Sequence, residues 1–277
     1  MLTLSLLLSA LLPQVLGCAD HSNYHAPLHS KRQAINASDT LRIPTFWQYD
    51  NSQDWGKISP NYTLCQTGTQ QSPIALLFNQ GLSQAHRPYF TGYTANSTGK
   101  YYNWGYGPAF TFYHDEGVYD TLPSMQMDNE TLYMTGWHVH APADHTVGGD
   151  RSKAELHYVH YDATGRERAV IAIRLDPGQD DSPFFAQFPS PPIHFNDTSS
   201  IENMAIDPLQ AIREVADFSN FWTYQGSLTS PPCKEGIRWF VARNILFTSV
   251  KQMQDLLGAS TFSARAEQEV WLHQVNV

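Results

Sequence analysis

Hydrophobic and polar positions alternate in short runs along most of the chain, and a two-residue period places successive side chains on opposite faces of a strand. Phe110-Thr111-Phe112-Tyr113 is one such run, Thr131 to His140 and Lys153 to Tyr161 are two more, and Ala169 to Leu175 is a fourth. β-Branched and aromatic residues fill them, and Gly, Pro, Asn and Asp punctuate the intervals, as strands and turns require. Helical spacing shows in only two places, Asp207 to Phe218 and Val250 to Leu257. No internal repeat and no linker interrupts residues 41–277. The pattern predicts one mainly β domain with few, short helices.

Residues 1–19 follow a different rule. Leu dominates Leu2 to Leu16, broken by Pro13 and Gln14, and the small residues Gly17, Cys18 and Ala19 follow. This reads as a signal peptide lacking the usual basic start, too short and interrupted for a membrane span. A lipoprotein reading of Val15-Leu16-Gly17-Cys18 competes with it. Residues 20–32 are polar, include His21, His25 and His29, and end on Lys31-Arg32. A pro-peptide processing site and a coincidental basic pair in a polar tail both stay open, and the domain then occupies 33–277. Sequons at Asn36, Asn61, Asn96, Asn129 and Asn196 exceed chance and favour a glycosylated, secreted eukaryotic protein.

Composition narrows the function classes. Of 277 residues 42% are hydrophobic and 16% charged, which excludes a disordered chain. The formal charge is −9 with no polybasic tract, which argues against a nucleic-acid or anionic-membrane binder. It fits a soluble protein acting on a small or neutral substrate. Cys18 sits at the expected cleavage point, leaving Cys65 and Cys233 as an even pair for an oxidising compartment. Spacing alone leaves open a bridge between them or two unrelated buried thiols. It also leaves monomer and homodimer open.

The chemistry sits in Trp137-His138-Val139-His140 and Glu155-Leu156-His157. On a strand, His138 and His140 project to one face and Val139 to the other; Glu155 and His157 repeat this on the next strand. The interval Ala141 to Ser152 is long enough to reverse the chain, so the strands can pair antiparallel. Three imidazoles then converge, and three neutral nitrogens with one open position suit a catalytic zinc. Glu155 fits as an acceptor that orients His157 and raises its basicity. The bland alternative is cross-strand histidines on a solvated face; an H-x-H alone fits it well, an H-x-H answered by E-x-H on the adjoining strand much less.

The arrangement resembles the α-class carbonic anhydrases, in particular a secreted, fungal-like member, over essentially Phe46 to Gln268. Trp47-Gln48-Tyr49 resembles the family's opening W-G-Y, and Gln71-Ser72-Pro73-Ile74 its Q-S-P-[IV]. His138-Val139-His140, Asp144-His145-Thr146-Val147 and Glu155 to His160 resemble its metal-site block. Trp222-Thr223-Tyr224 and Gly226 to Pro232 match its second signature, and Arg265-Ala266-Glu267-Gln268 its late R-P-x-Q.

The resemblance implies a twisted, largely antiparallel sheet of about ten strands with short surface helices. It implies zinc held by His138, His140 and His157, and reversible hydration of CO2 to bicarbonate and a proton through attack by zinc-held hydroxide. Glu155, His145, Tyr49 and Tyr224 would stand behind the ligands. Thr229 would pass a hydroxyl proton toward Asp144 and orient CO2 with its backbone N–H, while Ser230 contacts bicarbonate. Val159, Val170, Leu228 and Trp239 would form the apolar wall around CO2. A Cys65–Cys233 disulfide is implied too, because secreted members pair cysteines at these places.

Three departures stand out. Asp144 replaces the family's usual Glu and is one methylene shorter. Gly136 replaces the usual Gln behind the first ligand. Pro108 stands where efficient members carry a shuttle histidine, leaving Tyr49, Tyr106 and His114 as nearby-in-sequence substitutes. The competing class is a catalytically weak or silent member used for binding or structure; such members typically lose a zinc histidine, and all three are present. A zinc ester hydrolase would share the nucleophile.

Overall fold

The computed structural model describes residues 47–277; the leader, Cys18, Lys31-Arg32 and Asn36 lie outside the described residues. Thirteen strands follow one another: β1 (Ala75–Leu76), β2 (Tyr89–Thr91), β3 (Ser97–Asn103), β4 (Pro108–Phe112), β5 (Ser124–Met127), β6 (Glu130–His140), β7 (Thr146–Val147), β8 (Ala154–Tyr161), β9 (Glu167–Gly178), β10 (Ser200–Ile206), β11 (Phe221–Ser227), β12 (Glu235–Ala242) and β13 (Leu246–Ser249). The large sheet has eleven strands in the order β10-β3-β4-β6-β8-β9-β12-β11, with β13 joining β9, and β2 reaching β6 through β5. β1 and β7 form a separate parallel pair. Among the described residues no helix is long and apolar enough to cross a membrane.

The centre of the sheet is covered on both faces. All eight positions of β8 are buried, as is β9 from Ala169 to Leu175. Val139, Leu156, Tyr158, Ile171 and Ile173 point into the larger apolar core together with Trp137 and Phe110. The opposite face carries the polar members of the same alternation, including His138, His140, Glu155 and His157, and these too are buried. Here a polar residue in an alternating strand marks an interior site, not a solvated surface.

The sheet is largely antiparallel, as the resemblance implied; the exceptions are β12 and β13, which both run parallel to β9. The added strands are mostly two to four residues long, too short to show a period. The helical pattern at Asp207 to Phe218 gives only Leu209–Glu214. Ala216, Asp217 and Phe218 lie in the left-handed region, at φ 57°, 52° and 54°, where a right-handed helix cannot continue. Phe218 is nonetheless buried, so the apolar spacing reported burial correctly and backbone conformation incorrectly. The second helix, Val250–Gly258, starts on a Ser249–Gln252 capping box, which satisfies two otherwise orphaned backbone donors.

An early and a late part of the described residues are tied together. Cys65 and Cys233 form a disulfide with Cα atoms 5.1 Å apart. Beside it lies Arg265, fully buried, with its guanidinium 5.3 Å from the centre of the Trp55 ring. It donates to the carbonyls of Ser72 (2.7 Å) and Cys65 (3.1 Å) and to the side chain of Gln71 (2.9 Å). Reducing the disulfide is expected to lower unfolding stability by about 2–4 kcal/mol while sparing the histidines, since neither cysteine is among them. Urea denaturation with and without reductant checks this; an unmoved midpoint would deny the bridge a stabilising role.

Candidate functional site

β6 and β8 place the three histidines by register. His138 stands opposite His157, and His140 opposite Glu155. The ring centres of His138, His140 and His157 lie 4.6–5.2 Å apart. One nitrogen from each lies within 4.8 Å of the others, and the two Nε2 atoms of His138 and His140 are 3.0 Å apart.

The outward nitrogens fix which atoms face inward. His140 Nδ1 donates to the carbonyl of Ser263 at 2.7 Å, which turns the lone pair of Nε2 toward the cluster. His157 Nε2 donates to Glu155 Oε1 at 2.9 Å, which leaves Nδ1 for the same purpose. Burial pushes the His140 pKa below its ordinary value despite the pull of Asp144, so the ring is neutral where a ligand must be. Burial alone would raise the pKa of Glu155, but the charge of His145 and hydrogen bonds from His145 and His157 outweigh it and hold the carboxyl well below its usual range.

A supporting layer lies behind. Glu155 accepts from the backbone N–H of His145 (2.8 Å) and from its Nδ1 (2.6 Å), and His145 Nε2 meets the Tyr224 hydroxyl at 2.7 Å. Tyr224 in turn donates to Ser72 at 3.0 Å. His145, Glu155 and His157 also cluster closely enough to bind an ion, but their polar atoms are spent on one another. The donor set that fits a metal is therefore His138, His140 and His157. Its all-imidazole chemistry suits zinc and related borderline-soft cations.

A second row crosses the same face. Gly136 pairs with Val159, Val159 with Val170, and Val170 with Trp239. Trp239 packs its ring 4.9 Å from His157 and 5.0 Å from His145, and donates to the carbonyl of Ser227 at 2.9 Å. Leu228, Thr229 and Ser230 follow β11 and are all buried, and Ser230 Oγ has no hydrogen-bond partner. Asp144 Oδ1 accepts from the Arg265 backbone N–H at 2.8 Å. Its Oδ2 is buried without a hydrogen-bond partner, 3.7 Å from His140 Nδ1.

Gly136 has a steric reason. A Cβ there would lie 2.2 Å from the Phe110 carbonyl oxygen. The register of β6 against β8 shifts between Met134 and Gly136, and this bulge turns the would-be side chain toward β4 rather than behind His138.

The three sequence-adjacent substitutes for a shuttle separate in space. Tyr49 stands edge-on to His140 with ring centres 5.8 Å apart, and Tyr106 packs on Tyr49 at 5.1 Å. His114 does not join them; it lies beyond the far end of β4, buried beside Tyr119 at 5.0 Å. Pro108 is buried and pairs with Asn103; it lines a cavity with Tyr101 and Trp137, on the face away from the histidines. A histidine in its place would therefore not by itself face the cluster.

Sequence reasoning missed two contributors. Trp104 sets its ring 5.3 Å from both His138 and His140 and donates to the Val139 carbonyl at 3.2 Å. It sits in the loop between β3 and β4, where no period announces it. Ser263 acts through its backbone carbonyl, which any residue type supplies.

A family model for eukaryotic-type carbonic anhydrase matches residues 50–275 of this chain. A carbonic anhydrase of Pectobacterium atrosepticum is 30% identical over 223 residues, covering 79% of this chain and 84% of that protein. Alpha carbonic anhydrase 4 of Arabidopsis thaliana is 31% identical over 240 residues, covering 81% and 83%. The solved α-carbonic anhydrase of Thermovibrio ammonificans, in complex with the inhibitor sulfanilamide, superposes with a TM-score of 0.69 at 24% identity, covering 85% of this chain and 99% of that one.

Proposed function

The chain belongs to the eukaryotic-type carbonic anhydrase family, and on that premise we propose that it is a secreted zinc enzyme for the reversible hydration of CO2 to bicarbonate and a proton. The observation that carries this reading is the convergence of three buried imidazoles, two of them locked with a lone pair facing inward by Ser263 and Glu155.

His138, His140 and His157 would hold the zinc. When bound, zinc supplies a Lewis acid that makes a nucleophile from water near neutral pH. The remaining work falls to the chain. Ser263 and Glu155 keep the ligand rings in place, so no reorganisation is needed when charge develops. Val159, Val170, Leu228 and Trp239 offer a neutral, apolar molecule a place that water does not favour. The Thr229 backbone N–H would orient a CO2 oxygen, and its hydroxyl would donate toward Asp144, whose buried Oδ2 has no hydrogen-bond partner. Ser230 Oγ, buried and unpartnered, suits an oxygen of bicarbonate.

Stopped-flow CO2 hydration by metal-analysed protein tests the reading. One zinc per chain with hydration activity is expected; neither zinc nor activity would reject it in favour of a silent binding member. Proton export should be the weak step, because Pro108 faces away from the histidines and His114 is buried beside Tyr119, so neither offers the site an imidazole to relay the proton. A well-placed proton-transfer group contributes about 10²–10⁴-fold. Raising the concentration of imidazole buffer is therefore expected to raise kcat and leave kcat/KM nearly unchanged. A kcat already high and indifferent to buffer would point to an internal shuttle. The secretory part of the proposal draws support from the disulfide and from the exposure of Asn61, Asn96, Asn129 and Asn196.

A further inference from the structure

The loop between β3 and β4, residues 104–107, is held more firmly than a turn requires. Asn103, the last residue of β3, accepts from the Gly105 backbone N–H at 2.9 Å and donates to the carbonyls of Ile193 (2.8 Å) and Ala259 (2.9 Å). The Trp104 backbone N–H closes the loop on the Gly107 carbonyl at 3.1 Å, and the Thr261 N–H donates to the Tyr106 carbonyl at 2.8 Å. Ordering a loop costs conformational entropy, and these bonds offset that cost while fixing the direction in which one side chain points.

That side chain is the half-buried Trp104. Its Nε1–H donates at 3.2 Å to the carbonyl of Val139, the residue between the two β6 histidines. A Cβ at Gly107 would lie 2.6 Å from the same carbonyl oxygen, so glycine keeps that approach open. Anchored there, the indole meets both His138 and His140, with ring centres 5.3 Å away and planes inclined by 65°. Edge-on aromatic contacts of this kind are attractive and depend on orientation. Turning either imidazole out of place would displace the indole, which the loop holds and Tyr106 backs at 4.8 Å. Gly136 brings no side chain to His138. Among the described residues Trp104 makes no ring contact with His157, which rests on Glu155 and Trp239 instead.

We propose that Trp104 is the positioning residue of the two β6 histidines: by packing edge-on against both rings, it holds His138 and His140 in the orientation a metal requires. The proposal rests on the zinc reading for what the site holds, but the orientation is a property of the chain itself and can be read without metal. Residues that orient metal ligands from outside typically contribute about ten- to hundredfold in affinity.

The test compares the full wild-type chain with Trp104→Leu and Trp104→Phe. Zinc affinity is measured by competition with a chelator, and the imidazole signals of the 15N-labelled, metal-free chain by NMR. Trp104→Leu is expected to weaken zinc by about ten- to hundredfold. Trp104→Phe keeps a ring against the imidazoles and loses only the N–H, so it should recover most of that loss. Without metal, the signals of His138 and His140 should broaden through millisecond exchange in Trp104→Leu while those of His157 stay sharp. A merely structural role would move all three together with the urea midpoint. Unchanged zinc affinity in folded Trp104→Leu, equal broadening at all three histidines, or no recovery in Trp104→Phe would overturn the proposal. A wild type with no affinity for zinc would instead reject the zinc reading, and the metal-free signals would then decide this proposal by themselves. Should Trp104→Leu not fold, sharp signals in both the wild type and Trp104→Phe support it, and exchange broadening at His138 or His140 in either overturns it.

Discussion

His140→Ala is expected to remove bound zinc and CO2 hydration together. The ring is fully buried, fixed by the Ser263 carbonyl at 2.7 Å and enclosed by Tyr49 and Trp104. Deleting it leaves two imidazoles, one short of the three that hold catalytic zinc in place. Shared among its ligands, the binding free energy of a protein zinc site makes the loss of one worth about 10²–10⁴-fold in affinity. Metal analysis after dialysis and a stopped-flow assay measure the two losses, and denaturation confirms that the chain still folds. Stoichiometric zinc with full activity in the variant would show that the ligand assignment is wrong.

Gly136→Ala is expected to destabilise the fold by about 3 kcal/mol, at the upper end of overpacking effects. The added methyl would meet the Phe110 carbonyl at 2.2 Å, and that carbonyl belongs to the backbone of β4, which cannot swing aside as a side chain can. Relief requires β4 and β6 to separate next to His138, so zinc affinity should fall with stability. Gly136→Gln should behave no better, although it restores the residue usual in the resembled family, because the bulge directs that side chain into the neighbouring strand. Urea unfolding of both variants checks this. A midpoint equal to the wild type in Gly136→Ala would mean that the strands are not so closely apposed.

The same two positions show what could be read from the sequence and what could not. His138, His140 and His157 were legible because a strand's period is two, and two short motifs therefore fix three side chains on one face without knowledge of the rest of the fold. Glu155 followed from the same count. Gly136 was visible as a departure, but its cause was not: the clash is with a backbone atom of a strand more than twenty residues earlier. Trp104 and the Ser263 carbonyl were illegible for a related reason, since loop geometry and main-chain acceptors leave no period and no residue preference. The parallel pairing of β12 and β13 with β9 is a tertiary choice that single-strand patterns do not encode. Pro108 was visible as a departure, but its turning away from the histidines was not, because a strand's period says which residues share a face and not which face meets the site.

Arg265 ties the site to the order in which the chain is made. Its guanidinium reaches back 200 positions to the Cys65 carbonyl and 193 to that of Ser72, and its backbone N–H reaches 121 positions to Asp144. Contacts of such sequence separation form only after the entropy of closing very long loops has been overcome. On the ribosome, β6 and β8 can pair and gather their histidines while the C-terminal quarter is still unmade. Asp144 and the floor under Ser72 cannot settle until residue 265 has left the exit tunnel. The face that gathers the histidines is therefore assembled from an early half and a late half, and the nascent chain carries exposed imidazoles through the interval between them.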